Sequence, residues 1–574
     1  MMRKTLLILL IMLLLLPLAA QYDERQILVQ EANQFLVRRE YNQAETVFLQ
    51  ILEKYPNDLN SILQLMQIYL NLSSSDKAEA LLNKYQRTLG ENLYTEQRIQ
   101  LYILQGKLTE AYQRAESYLQ LGPPNQNKYR LIASYFERRG HFEYSVQVYQ
   151  KARTELDKTL FMMEIANASM QLQRYPAALG EYLSYMSNSQ NVNLFVKNQI
   201  KSIVQQDSSL IDIIRQAAKT TESDIILELF ASSLLAVKQD IEAMEIYKRL
   251  PATYMRTFAR DQLKLQNYAL ARAANRHLVE TTPQPLQSMA YRYEIAQIFH
   301  QEALYDSCAV ELKILLDDPF WRISPVNKRN NLNVAVQRLK ADNDLARGVD
   351  IDEVRQLLQD TKQYSTLALV NQELDLDLAR LSILSFDYQA AELALKRVEV
   401  PQLLEKRDYL YFLSAFMQIQ STHADSLMHE FMLKHPGGEN ANDIIYLNML
   451  SIGLDDAQKS TFAQSIRDLQ LFKKAGIDSL QVLFEQNGDE ELLLLAIEWA
   501  IGLDDTPRAA KLLQHVFTDE LAAEYAQYLG LALISDRSAE VDLAKEFLKR
   551  KPNSIFSPRF RQVISRQALS QVNI

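Results

Sequence analysis

Residues 31–56 read EANQFLVRREYNQAETVFLQILEKYP, and this stretch decides the fold. Ala32 and Phe35 occupy one short helical run, and Tyr41 stands at a turn. Ala44 and Phe48 occupy a second run, which Pro56 closes. A small side chain is needed where two helices cross closely, and aromatic rings fill the space on either side. Proline ends the second helix because it has no N–H to donate.

Working outward, the small residue returns at Ala78, Ala111, Ser145 and Ala178, at steps of 34, 33, 34 and 33 residues from Ala44. That is the period of a helix–turn–helix unit that stacks into a solenoid. The 31–56 stretch resembles the tetratricopeptide repeat family over one whole unit. The resemblance implies an all-α fold, a right-handed superhelix of antiparallel helix pairs. It also implies a non-enzymatic scaffold that binds protein on its concave face.

The next four units keep the register with substitutions. They carry Met66, Tyr69, Ala78 and Leu82; then Tyr102, Gly106, Ala111 and Ala115; then Ala133, Phe136, Gly140, Ser145 and Tyr149; then Ala166, Tyr175, Ala178 and Tyr182. Gly106 and Gly140 fall in the inter-helix turn, where a positive φ is cheap for glycine. Residues 186–222 read as a degenerate helical pair. Register returns with Ala243, Ala271 and Cys308, the last in the slot that Ala44 occupies. It resumes with Ala391 and Ala424, and again at Ala509. The sequence predicts a signal peptide over 1–20, a regular array over 21–190 and a degenerate array over 191–316. An irregular segment or hinge follows over 317–365, then a C-terminal array over 366–552 and a basic tail over 553–574.

Composition agrees. The 574 residues hold 13 Gly and 15 Pro, half or less of ordinary usage, so helix should run nearly throughout. A repeat array also evades the size limit of a single core, because each unit packs on its neighbours. Arg3 and Lys4 precede an apolar run from Leu6 to Leu16, and Pro17-Leu18-Ala19-Ala20 offers small residues for cleavage. Export with cleavage near Ala20 is expected, to a periplasmic or secreted location. Loss of those two basic residues takes the net charge from −9 to −11, which disfavours nucleic acid as a partner. Cys308 is the only cysteine, so no internal disulfide is available.

Function would sit in the groove that first helices line in this family. One slot of each first helix holds Asn33, Gln67, Gln100, Ser134 and Asn167. Amides and hydroxyls in a row suit the backbone of an extended peptide. Three residues further on lie Leu36, Leu70, Ile103, Glu137 and Met170, mostly apolar, which suits alternating side chains of such a peptide. The expected partner is a protein or peptide.

Between Lys545 and Ile574 seven basic residues face one acid, Glu546. Such a tail can touch anionic lipid or cap the last repeat and complement its helix dipole. Its phrase FLKRKPNSIF, residues 547–556, is similar to helix endings in periplasmic tetratricopeptide proteins of the bacterial cell envelope. No cofactor, metal or catalytic motif is expected. His423, His429 and His435 are six apart, which turns each about 120° around a helix from the last. Asp342, Asp344, Asp350, Asp352 and Glu353 form an acidic cluster, but Ala346 and Arg347 interrupt any calcium-loop spacing, so it reads as a solvated loop.

Overall fold

The computed structural model describes residues 24–188, 193–221, 223–534 and 536–572. All regular structure among the described residues is helical. The fold is an all-α array of antiparallel helix pairs of the tetratricopeptide type. It divides into two compact units, residues 1–233 and 234–574, with the boundary inside one helix. The expected signal peptide over 1–20 lies outside the described residues.

The first unit opens with α1 over 24–37 and α2 over Tyr41–Lys54. Then come the pairs α3 Leu59–Asn71 with α4 Ser75–Lys84 and α5 Gln86–Leu104 with α6 Leu108–Leu119. They are followed by α7 Gln126–Glu137 with α8 Phe142–Glu155 and α9 Met162–Gln171 with α10 Tyr175–Ser187. The degenerate pair is α11 Leu194–Gln206 and α12 Ile211–Lys219. Each helix packs on the next, so the core runs as a chain of linked clusters.

One backbone device repeats at every regular turn. Arg39, Ser73, Gly106, Gly140 and Gln173 adopt the left-handed conformation, with φ between 54° and 77°. The N–H of the following residue donates back to a carbonyl five residues earlier: Glu40 to Phe35, Ser74 to Tyr69, Lys107 to Tyr102, His141 to Phe136 and Arg174 to Ser169. This is a Schellman closure, which satisfies orphan carbonyls at the helix end and reverses the chain. It also explains the alanine ladder. The residue five beyond each left-handed turn is Ala44, Ala78, Ala111, Ser145 or Ala178, and each is 0% exposed at the helix crossing. The turn thus sets where the crossing falls, and the crossing demands a small side chain.

The second unit uses the same device. Its helices begin with α13 Asp224–Ala236, which it shares with the first unit, and α14 Asp240–Arg249. The pairs α15 Ala252–Lys264 with α16 Tyr268–Thr281 and α17 Pro285–Gln301 with α18 Tyr305–Asp317 follow. Two four-residue helices, α19 Phe320–Ile323 and α20 Pro325–Lys328, precede α21 Asn331–Ala346 and α22 Ile351–Thr361. Next come α23 Ala368–Leu384, α24 Tyr388–Leu395, α25 Leu404–Met417, α26 Ser421–Lys434 and α27 Ala441–Ile452. The end is built from α28 Asp456–Gln470, α29 Ala475–Asn487, α30 Glu490–Gly502, α31 Thr506–Leu512, α32 Glu520–Gly530, α33 Arg537–Arg550 and α34 Ser557–Val572. Left-handed turns at Lys238, Gln266, Ala303, Gly348, Phe386, Ile419, Phe472 and Asp504 punctuate it.

Two sequence expectations are corrected here. Residues 317–365 are not an irregular hinge. They hold a short inserted pair, pinned where the Trp321 Nε1–H donates to the Leu315 carbonyl at 2.7 Å, followed by the ordinary pair α21 and α22. The turn at Gly348 is standard, with Val349 N–H donating to Asp344 O, but the crossing slot has moved by one residue to Val354, which is buried. That shift and the larger residue hid the repeat. The acidic cluster is likewise helical: Asp350 caps α22, Asp342 pairs with Arg380 and Asp344 with Lys340. A basic tail is expected over residues 553–574, as a lipid contact or as a cap on the last repeat. Most of them form α34, whose Phe560 is fully buried and stacks on Phe547 with ring centroids 3.8 Å apart.

Candidate protein-binding face

The first helices of the first unit, α1, α3, α5, α7 and α9, carry the predicted polar row. The structure leaves Asn33 and Asn167 exposed and Gln67, Gln100 and Ser134 half-buried. Several are held by neighbours on their own unit. Gln67 Nε2 donates to Asn71 Oδ1 at 3.0 Å, and Ser134 Oγ donates to the Leu131 carbonyl at 2.7 Å. Asn167 Oδ1 accepts from the Tyr182 hydroxyl at 2.7 Å, which tethers α9 to α10 and aims the amide.

The second predicted row splits. Leu36 and Met170 are half-buried, and Glu137 stands between them in chain order, also half-buried. Leu70 and Ile103 are in the core, 4% and 3% exposed, so neither is open to a ligand. The reason is packing against neighbouring pairs, which differs from one repeat to the next. Leu70 belongs to the apolar cluster that runs from Ala32 to Leu101, and Ile103 to the next cluster, which also holds Tyr129 and Phe136. A peptide face built of alternating apolar pockets is therefore not present along the whole row.

The structure adds polar groups that spacing did not single out. Arg98 reaches from α5 to Glu79 at 3.0 Å, Asn83 at 2.8 Å and the Tyr94 hydroxyl at 2.7 Å. Tyr118 donates to Glu96, and Lys128 sits 4.2 Å from the Tyr118 ring centroid. Burial pushes the Glu137 carboxyl above its ordinary range, with hydrogen bonds from Tyr149 and Ser145 opposing the shift. Apart from Glu137, none of these had a repeated spacing to reveal it; most meet because neighbouring helices pack together.

The second unit has a charged counterpart. Arg338 of α21 pairs with Glu373 at 2.6 Å and Asp377 at 2.8 Å on α23, and Arg380 pairs with Asp342 at 3.2 Å. Further along, Tyr446 meets Glu491 at 3.3 Å and Tyr525 donates to Glu498. Burial raises the carboxyls of Asp443, Glu491 and Glu498 above the ordinary range, and the neighbouring acids Glu491 and Asp443 add to the shift at Glu498.

At the chain's end, basic residues are largely engaged within the array. Lys551 pairs with Glu520 and Glu524, Arg550 with Glu546, and Arg559 Nη1 donates to the Tyr528 hydroxyl at 3.3 Å. Among the described residues no three of His, Cys, Asp and Glu are grouped to hold a metal ion. No described helix is long and apolar enough to cross a membrane. His435 instead meets Asp408 at 3.1 Å, and His429 meets the Asp425 carbonyl at 2.7 Å. Cys308 is buried, and burial pushes its thiol up to about 12.

No family model matches the chain, and no curated protein does. Solved structures do. The C-terminal part of a TPR repeat-containing protein from Cytophaga hutchinsonii is 15% identical, with a TM-score of 0.25, covering 46% of this chain and 98% of that one. A chain from the structure of Naa15/Naa10 bound to HypK-THB is 14% identical, with a TM-score of 0.24, covering 95% and 97% of the two chains. A chain of the APC/C hetero-tetramer Cut9–Hcn1 is 12% identical, with a TM-score of 0.25, covering 94% and 96%.

Proposed function

We propose that this chain is a non-enzymatic scaffold, exported to the periplasm or cell envelope, that binds a segment of a partner protein along the first helices of residues 24–187. The observation that carries the reading is the repeated polar slot. Asn33, Gln67, Gln100, Ser134 and Asn167 stand at one register on five successive first helices and remain at least partly open to solvent. Hydrogen-bonding groups at regular steps can follow a peptide backbone without demanding one side-chain sequence. Burial of Leu70 and Ile103 shifts the weight of recognition from apolar pockets to this polar row. Export rests on the leader-like stretch ahead of Gln21.

The test is photocrosslinking from the full chain in its native envelope. A photoreactive amino acid is placed at Asn33, at Asn167, or at Gln150 on the exposed face of a second helix. Crosslinks to one protein from the first two positions, lost on joint replacement of Gln67, Gln100 and Ser134 by Ala, support the reading. Equal capture from Gln150 overturns the groove, and capture of other copies of this chain alone would make it a self-associating spacer.

A further inference from the structure

Residues 441–500 lose the repeat register, and the structure shows where they go. Helix α27 is an insertion, after which α28 and α29 form the next pair, closed by the standard turn at Phe472 with Lys473 N–H donating to Asp468 O. Helix α28 packs on α29 and α25, and individual side chains of α28 and of the turn that follows it reach the inter-helix turns of earlier repeats. Lys459 meets Ser421 at 3.3 Å, just after the α25–α26 turn, and the Phe462 ring lies 5.7 Å from that of Phe416. One and a half turns of helix later, Arg467 Nε donates to the Leu384 carbonyl at 2.6 Å, at the α23–α24 turn. Its guanidinium also sits 4.6 Å from the Phe386 ring centroid. Just past the helix, the Phe472 ring meets Tyr305 edge-on at 6.1 Å, at the α17–α18 turn. The contacts thus visit the repeats in reverse chain order, 421, 384 and 305.

A second, independent observation concerns the backbone of these turns. The left-handed position is held by Gly or by Arg, Ser, Gln, Lys, Ala or Asp at the other regular turns. It is held by Phe386 and Ile419, at φ of 64° and 58°, in two of the turns that α28 touches, and by Phe472, at 59°, in the turn that closes α28 itself. Bulky and β-branched residues are outliers there, and such strain persists only where surrounding contacts over-determine it. Phe386 and Phe472 are 52% and 39% exposed, so core burial does not account for them.

We infer that α28 is an intramolecular strap that holds the α17–α25 repeats at one spacing. In an ordinary array, curvature is set chiefly by each pair's contact with the next, as in the first unit, where the one comparable long-range turn contact given is Arg139 donating to the Leu70 carbonyl two pairs earlier. Here a single helix ties turns of non-adjacent repeats together, so this segment is braced against the stretching that solenoids otherwise allow. The strained aromatic turns are its handholds.

The test uses the full chain and the double substitution Phe386→Gly with Phe472→Gly. Glycine relieves the backbone strain at both turns, so local stability alone should rise. If α28 is a strap, amide exchange at 303–308 and 384–388 accelerates at least tenfold, while the turns at Ser73, Gly106 and Gly140 are unchanged. Arg467→Ala should speed exchange at 384–388 in the same way. Exchange at these turns that is unchanged or slower in the glycine variant overturns the inference. Acceleration spread evenly over the whole chain, the sign of general unfolding, overturns it too.

Discussion

Gly476, in the first turn of α29, lies tight against α28. A Cβ built there would stand 2.6 Å from the backbone carbonyl oxygen of Ser465, and 2.7 and 3.0 Å from side-chain atoms of Leu469. Replacing Gly476 by Ala therefore sets two terms against each other. Alanine is the better helix former by about 0.5–1 kcal/mol. Overpacking costs about 1–3 kcal/mol, and the upper part of that range applies because the Ser465 oxygen is backbone and cannot rotate away. We expect a net loss of about 1–2 kcal/mol in the α28–α29 pair. The control is Gly180→Ala in α10, where a Cβ meets nothing within 4 Å and the propensity term should act alone, stabilising by about 0.5–1 kcal/mol. Long arrays need not unfold as one, so the assay is native-state hydrogen exchange read helix by helix. Gly476→Ala should lower protection in α28 and α29 roughly 5- to 30-fold, with α1–α10 unaffected. Protection equal to or above that of the parent chain would refute the packing argument.

Three further outcomes follow from buried polar groups. Asp375, with 4% of its side chain exposed, accepts from Lys362 at 2.8 Å and from Arg397 at 2.6 Å. Asp375→Ala should cost about 2–3 kcal/mol by urea denaturation, less than a fully buried pair because both cations retain access to water. Glu498 has a folded carboxyl raised above its ordinary 4.5, so it binds its proton more tightly folded than unfolded and lowers stability as pH rises through that window. Glu498→Gln should therefore raise the thermal midpoint at about pH 7, and the two proteins should converge below about pH 4. Cys308, buried in a small-residue slot, should react with a thiol reagent only at the rate of local unfolding, and Cys308→Ala should leave stability within about 1 kcal/mol.

The ladder from Ala44 to Ala178 was legible because each unit obeys one local rule. A small residue must sit where a helix pair crosses, and short-range spacing records it. The register of Asn33, Gln67, Gln100, Ser134 and Asn167, one on each first helix, follows from the same rule, and all five stay at least partly open to solvent. The depth of a residue was not legible. Leu36 and Leu70 occupy the same slot, yet one is half-buried and the other is core, because the neighbouring pair covers each differently. Turn geometry was readable at Gly106 and Gly140 but not at Arg39, Ser73 or Gln173, where the Schellman bonds hold a non-glycine residue at positive φ.

The amino-acid sequence by itself determined the helix pairs, their period and their crossings, because those depend on residues no more than a repeat apart. The course of residues 441–500 was decided only in three dimensions. Besides its packing on α29 and α25, α28 meets the carbonyl of Leu384 and the ring of Phe386 through Arg467, and Phe472 just past it meets Tyr305, about 80 to 170 residues away along the chain. No local period can carry such a contact, since it exists only after the intervening repeats have stacked.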